Sequence, residues 1–176
     1  TLVSRGDAFS TLLRSIVGQQ ISVKAADSVW ARLLAAMSSA VTPCAVLASE
    51  RETLRACGLS QRKVEYVVDL ARHFERGQIH TDRWSAMSDA EIIGELTAVR
   101  GIGVWTAEMF LIFHQLRPDV LPLDDLGLQK AVALHYCQGE RPGRRVLVEH
   151  GERWRPWRSV ATWYLWRSLD PVPVEY

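Results

Sequence analysis

Apolar residues recur every three or four positions along almost the whole chain, the spacing that places them on one face of a helix. Capping signals divide this pattern, and in chain order they are Ser22 before a predicted helix over 23–37, the N-cap pair Thr42-Pro43, Gly58 ending one helix with Ser60 starting the next, and the capping box Ser88 with Glu91. The alternating pattern of strands is missing. We predict an all-α fold of about ten helices, with Pro118–Pro122 as one extended crossing.

The composition is that of a globular protein. The 176 residues are 48% apolar and 23% charged, enough for one domain or two fused lobes with a substantial core. Three widely spaced cysteines without a CxxC motif argue against zinc or iron–sulfur sites and favour a reducing compartment. No apolar run reaches the length of a membrane span, and nothing resembles a signal peptide. We therefore expect a cytoplasmic or nuclear protein with no membrane partner.

Net charge is only +1, but basic residues are concentrated late in the chain. Between 129 and 170 there are eight basic and four acidic residues, a local net of +4. This excess is compatible with phosphate binding, and equally with a solvated helix face.

The stretch "AVRGIGVWTA", residues 98–107, contains a Gly-x-Gly turn between two helical patterns. A dinucleotide fingerprint requires a preceding strand and a small residue where Thr106 stands, so that function is excluded. Gly101 and Gly103 allow a tight reversal, after which a helix begins near Val104 with its amides exposed. Such an end can bind a phosphate through backbone amides and the helix dipole, whereas the simplest alternative is a plain helix-hairpin C-cap.

An acidic pair, Asp124 and Asp125, stands at the start of a later helix. One acid is well placed as N-cap, and the other could then point into a cleft. Counting three residues on from Asp125 reaches apolar Leu128, as the core-facing side of a first turn requires. This register favours Asp125 as the residue in the cleft.

Three stretches, "VRGIGVWTA", "LPLDDLGLQKA" and "RWRPWRSVATWYLWR", resemble the helix-hairpin-helix, Gly/Pro-rich loop, aspartate superfamily of DNA glycosylases. The branch of bacterial 3-methyladenine DNA glycosylase II is the most similar, and "IVGQQISVKAADSVWARL" and "GLSQRKVEYVVDLA" extend the resemblance over nearly the whole chain. It implies an all-α glycosylase domain over 1–176 with two lobes and an active-site cleft between them. We expect one lobe over about 22–117 and the other over about 1–21 plus 118–176.

The resemblance also implies the chemistry. The family flips a damaged base out of the duplex and cuts its N-glycosidic bond. Its invariant acid falls on Asp125, which would stabilise the oxocarbenium-like sugar and orient the attacking water. Trp105 stands where bifunctional relatives carry a catalytic lysine, so we expect no Schiff base and no strand cleavage. Electron-rich indoles suit a cationic alkylated base, and the predicted base pocket consists of Trp105, Met109, Trp166 and Asp124.

Further roles follow from the family alone. The predicted DNA-contacting residues are Gln19, Gln20, Arg100, Gly101, Gly103, Val104 and Thr106. Gln20 matches the residue that wedges into the gap left by the flipped base, while both glutamines could instead be helix C-caps. The main-chain carbonyls of Thr97, Val99 and Ile102 match a site for Na⁺ or K⁺ that orders the hairpin.

The sequence departs from the pattern of the family at several points. Arg100 replaces a common proline, Met109 replaces a frequent aromatic, and this chain shows neither the N-terminal β-rich domain of longer relatives nor a four-cysteine iron–sulfur loop.

The expected protein is a monomeric bacterial glycosylase, nucleoid-associated, acting on double-stranded DNA with alkylated bases and requiring no cofactor. The alternatives are a non-catalytic protein that binds DNA lesions, and a glycosylase/lyase for other damaged bases.

Overall fold

The computed structural model describes residues 6–38 and 40–169, and within these ranges all regular structure is helical. The α-helices are α1 (Ala8–Gly18), α2 (Val23–Ala36), α3 (Pro43–Ala48), α4 (Arg51–Ala56), α5 (Gln61–Glu75), α6 (Asp89–Thr97), α7 (Val104–Phe113), α8 (Leu126–Tyr136), α9 (Arg144–Arg153) and α10 (Arg158–Leu169). A single 3-10 turn, Trp84–Ala86, precedes α6 in the described chain. The predicted all-α fold is confirmed.

The predicted helix starts are also confirmed, because each depends on a local hydrogen bond. The hydroxyl oxygens of Ser22, Thr42 and Ser60 accept the amide N–H three residues further on. Ser88 and Glu91 form the complete capping box. The segment 118–122 is non-helical, but it contains turns and is not the single extended crossing that was predicted.

One compact unit is described from Gly6 to Phe110, apart from residue 39. In it α1 packs on α2 and α5, and α3 also packs on α5. The first helix therefore contributes Leu12 and Ile16 to a core shared with Leu70 of α5. The described α1 thus belongs to this unit, whereas the predicted lobes grouped residues 1–21 with 118–176; the bounds of the lobes stay a prediction.

The other compact unit is described from Leu111 to Leu169. Its core is built by α8, α9 and α10, and consists of Leu128, Ala131, Val132, Leu147 and Leu165. The start of α10 is fixed to the 117–120 segment, because the Ser159 hydroxyl donates to the carbonyl of Arg117 and accepts from the amide of Val120. The Arg158 guanidinium donates to both carboxylate oxygens of Asp119 at 2.7 and 3.0 Å. These contacts set the position of α10, which carries Trp166.

Candidate functional site

The turn between α6 and α7 depends on Gly101. Its φ of +87° lies in the left-handed region that favours glycine. A Cβ at this position would lie 2.3 Å from Cδ2 of Tyr66, so the ring leaves no room for a side chain. Gly103 differs, because a Cβ there would meet nothing within 4 Å. The turn is thus packed at its first glycine and open at its second.

Side chains from α5 and from the end of α1 hold the same turn by its main chain. The Gln19 amide donates to the carbonyl of Gly101 at 2.8 Å, and Asp69 accepts the amide N–H of Arg100 at 2.9 Å. The Arg100 guanidinium forms an exposed ion pair with Glu65 at 3.2 Å. These contacts position the hairpin from side chains of other parts of the chain.

Gln19 and Gln20 have different environments. Gln19 is the C-cap of α1, and its side chain is engaged with the turn. Gln20 is exposed with a φ of 60°. Of the two, Gln20 presents the more accessible side chain for the predicted wedge, while Gln19 links the α1–α2 loop to the hairpin.

Asp125 is 8% exposed, and one oxygen of its carboxylate accepts two N–H groups. The amide of Leu128 donates to Oδ1 at 2.6 Å and the indole Nε1–H of Trp166 donates to it at 2.7 Å. Asp125 is therefore the N-cap of α8. The prediction divided two roles between the acids, with one capping the helix and Asp125 in the cleft; instead Asp125 is itself the cap, because its position three residues before Leu128 brings it within reach of that amide. Its role in a cleft stays a prediction.

Gly127 makes the contact between Trp166 and Asp125 possible. A Cβ on Gly127 would lie 2.8 Å from Cδ1 and 2.9 Å from Nε1 of the indole, and 3.1 Å from Oδ1 of Asp125. On another side the indole stacks on Phe113, with ring centres 5.7 Å apart and planes inclined by 18°. Glycine and phenylalanine together fix where the indole lies.

Asp124 has a different environment from its neighbour. It is two-thirds exposed and pairs with Arg144 at 3.0 Å. Most arginines of the basic region are likewise engaged with carboxylates, namely Arg144, Arg145, Arg155 and Arg158. The excess of positive charge in this region is thus largely part of surface ion-pair networks, which favours the solvated-face interpretation.

A scan against protein-family models matches residues 13–156 to the HhH-GPD superfamily of base excision DNA repair proteins. The chain belongs to this family. The match contains both the hairpin and Asp125, and the resemblance stated from the sequence is confirmed.

Relatives of known structure and name agree with this assignment. DNA-3-methyladenine glycosylase 1 of Schizosaccharomyces pombe is 32% identical over 94% of this chain and 74% of its own length. The crystal structure of a DNA-3-methyladenine glycosidase from Bacillus halodurans superposes with a TM-score of 0.92 at 37% identity, covering 97% of this chain and 79% of that one. The S. pombe enzyme in complex with abasic DNA superposes with a TM-score of 0.79 at 31% identity, covering 98% and 86%.

Several of the curated relatives extend beyond the region that this chain matches. The chain spans 74%, 61% and 57% of the first three of them.

The predicted pocket residues of this HhH-GPD protein fall in both compact units. Trp105 is 46% exposed in the first turn of α7, and Met109 is half-buried on the same helix. Trp166 and Asp124 belong to the unit that contains Asp125. A pocket that combines them stays a prediction. Of the predicted DNA contacts, Val104 is exposed, whereas Thr106 is 8% exposed and has no broad surface for a phosphate.

The predicted cation site consists of carbonyl oxygens, the hard ligands that suit Na⁺ or K⁺. The carbonyl of Val99 accepts the amide of Ile102 at 3.1 Å and retains a second lone pair. The turn is compatible with such a site, which remains a prediction. Among the described residues no group of three or more His, Cys, Asp or Glu could hold a metal. None of the described helices has the length and apolar composition that crossing a membrane requires.

Sequence reasoning missed three contributors to the site: the indole N–H of Trp166 as a donor, Gly127, and Gln19 as the link to the turn. One signal was available. Glycine inside a helical pattern is less favourable than alanine, by up to about 1 kcal/mol in a helix interior, so Gly127 was a signal of a close approach by another group.

Proposed function

We propose that the chain is a monofunctional DNA N-glycosylase that flips alkylated bases of the 3-methyladenine type out of the duplex and excises them by hydrolysis in base excision repair. The observation that carries this proposal is Asp125, a buried carboxylate held by two N–H donors at the family's acid position. The names of the S. pombe and B. halodurans relatives support the choice of substrate.

Asp125 would act by electrostatics on the sugar. Positive charge develops on the deoxyribose as the base departs, and a fixed carboxylate stabilises that charge without having to reorganise. Its low exposure reduces screening by water. The same carboxylate would orient the water that attacks the anomeric carbon, so that base release ends in an abasic site.

Trp105 limits the reaction to hydrolysis. Strand cleavage in bifunctional relatives requires an amine that forms a Schiff base with the sugar, and an indole cannot do so. Its ring, nearly half exposed, suits stacking on an electron-poor base.

The proposed partner is double-stranded DNA containing alkylated bases, contacted through the hairpin. The exposed position of Val104 and the open space at Gly103 leave the start of α7 accessible to a phosphate. We further propose a monomer that needs no cofactor for hydrolysis and a cytoplasmic, nucleoid-associated location.

The test is base release from methylated DNA, resolved by chromatography, with borohydride trapping in parallel. We expect free 3-methyladenine, an intact strand before alkali and no covalent adduct. A trapped adduct would instead assign lyase chemistry. Tight binding to lesions without any base release would favour the non-catalytic alternative, in which the capping bond from Leu128 is the whole role of Asp125.

A further inference from the structure

The carboxylate plane of Asp125 is fixed by two donors that come from different parts of the chain. The Leu128 amide belongs to the first turn of α8, whereas Trp166 lies on α10, 41 residues after Asp125. The terminal torsion of aspartate is broad and roughly two-fold, so one hydrogen bond leaves the carboxylate plane loosely defined. A second donor on the same Oδ1 removes that freedom, and the direction of the other oxygen is then set.

The Trp166 donor is committed to this contact. An indole has one N–H and no acceptor, so a bond of 2.7 Å to Asp125 uses its whole hydrogen-bonding capacity. Phe113 stacks on the ring, and Gly127 provides the space in which the N–H reaches Oδ1. A side chain at 127 would occupy the space of the indole and crowd the carboxylate oxygen.

We infer that Trp166 is a positioning residue for Asp125, acting through its indole N–H, and that Gly127 is required to admit it. This inference rests on the proposed glycosylase function for its effect on rate. It assigns to Trp166 a role in orienting the acid, in addition to the predicted role as a wall of the base pocket. The two roles make different predictions about substrates.

Two pairs of variants separate them. Trp166→Phe keeps an aromatic face and removes the N–H, and Trp163→Phe makes the same change three residues earlier on α10. Gly127→Ala keeps the indole and displaces it, and Gly94→Ala makes the same change in a helix where a Cβ meets nothing within 4 Å. We expect Trp166→Phe and Gly127→Ala to slow single-turnover excision about 10- to 100-fold, the worth of one hydrogen bond to a charged group. Both control variants should excise at the wild-type rate.

The pattern across substrates is the decisive readout. Because Asp125 acts on the sugar, loss of positioning should reduce excision of cationic 7-methylguanine and neutral hypoxanthine by the same factor. Affinity for duplex DNA with a tetrahydrofuran abasic analogue should stay within two-fold of the wild-type value. A loss confined to the cationic base would assign Trp166 to stacking alone and overturn the inference. A fall in DNA affinity equal to the fall in rate would also overturn it.

A spectroscopic measurement tests the contact without reference to activity. In ¹H–¹⁵N spectra the indole signal absent from Trp166→Phe belongs to Trp166. That signal should shift in Asp125→Ala and in Gly127→Ala, and stay in place in Gly94→Ala. If the wild-type protein releases no base from any substrate, the proposed function fails while this signal still reports on the positioning contact. If the chemical shift of the Trp166 indole N–H were the same in Asp125→Ala as in the wild type, the hydrogen bond itself would be contradicted.

Discussion

The hairpin turn and the start of α8 are both helix beginnings with proposed roles, but they are held in opposite ways. At the hairpin, side chains from other parts of the chain bind the main chain: the Gln19 amide donates to the carbonyl of Gly101, and Asp69 accepts the amide N–H of Arg100. At α8, a backbone amide and an indole hold a side chain, the carboxylate of Asp125. The first arrangement presents backbone amides, which suit any DNA phosphate. The second fixes a single charged group, as reaction at one bond requires.

This difference predicts which substitutions each region tolerates. The hairpin should be sensitive to changes in backbone conformation and less sensitive to the identity of its exposed side chains. The start of α8 should be sensitive to the chemistry of individual side chains.

Gly101→Ala should destabilise the protein by about 3 kcal/mol, because it adds left-handed strain and a clash with Tyr66. Gly103→Ala is the matched control in the same turn and should change the free energy of unfolding by less than about 0.5 kcal/mol. Urea denaturation measures both. Equal stabilities of the two variants would show that the packed glycine does not hold the turn.

Asp119→Asn should lower the free energy of unfolding by about 2 kcal/mol at neutral pH. The carboxylate accepts hydrogen bonds from Arg158 and Arg155, and these fix the start of α10. Burial raises the pKa of Asp119, but the hydrogen bonds and charge of Arg158 outweigh it, and the pKa lies below its usual range. The pKa of Asp119 is thus lower in the folded than in the unfolded state. The stabilisation that this carboxylate gives the folded state is complete above the unfolded-state pKa, and it is lost as the pH falls through the folded-state pKa.

The difference between Asp119→Asn and the wild type should therefore be constant near neutral pH and shrink below about pH 4. Asp27→Asn is the control, since its ion pair with Arg14 is more than half exposed and should contribute less than about 0.5 kcal/mol. If the difference in free energy of unfolding between the wild type and Asp119→Asn grew as the pH fell, the pKa of Asp119 would be raised in the folded state, contrary to this prediction.

Gln19→Ala should lower the free energy of unfolding by about 1 kcal/mol, the worth of its hydrogen bond to Gly101. Gln20→Ala should leave stability unchanged and, if Gln20 is the wedge, slow excision. Thermal unfolding and single-turnover kinetics separate the two effects. The opposite assignment, with Gln19 as the wedge, would be indicated if Gln19→Ala affected only the rate.

Arg100→Gln should have the smallest effect on folding, because its pair with Glu65 is exposed. If Arg100 contacts a phosphate, the slope of log affinity against log salt should fall in magnitude by about one. Glu65→Gln should act in the opposite direction and strengthen DNA binding at low salt, since it frees the guanidinium. An unchanged slope in both variants would remove Arg100 from the interface.

The parts of this structure that were predictable from sequence are those set by local chemistry. Caps at Ser22, Ser60 and Ser88 act within three residues, so each helix start could be located from a short stretch. The site depends on contacts between distant residues. Gln19 and Gly101 are 82 positions apart, and no periodicity pairs them.

The acidic pair shows the limit of register arguments. The register selected Asp125 for the cleft and left the cap to the other acid, whereas in the structure Asp125 is buried and caps α8, and one of its oxygens accepts both the amide of Leu128 and the indole N–H of Trp166. Spacing alone could not show that Trp166 supplies the second donor, because the approach of α10 is set by the Asp119–Arg158 and Ser159 contacts.

Single-turnover release of 3-methyladenine by the Asp125→Asn variant tests the central claim most directly, measured beside its affinity for abasic-analogue DNA. Asparagine keeps an oxygen for Leu128 and Trp166 but loses the charge. We predict a rate lower by a factor on the order of 100 to 1000, with unchanged DNA affinity and stability. Excision at the wild-type rate would contradict the assignment of Asp125 as the catalytic carboxylate.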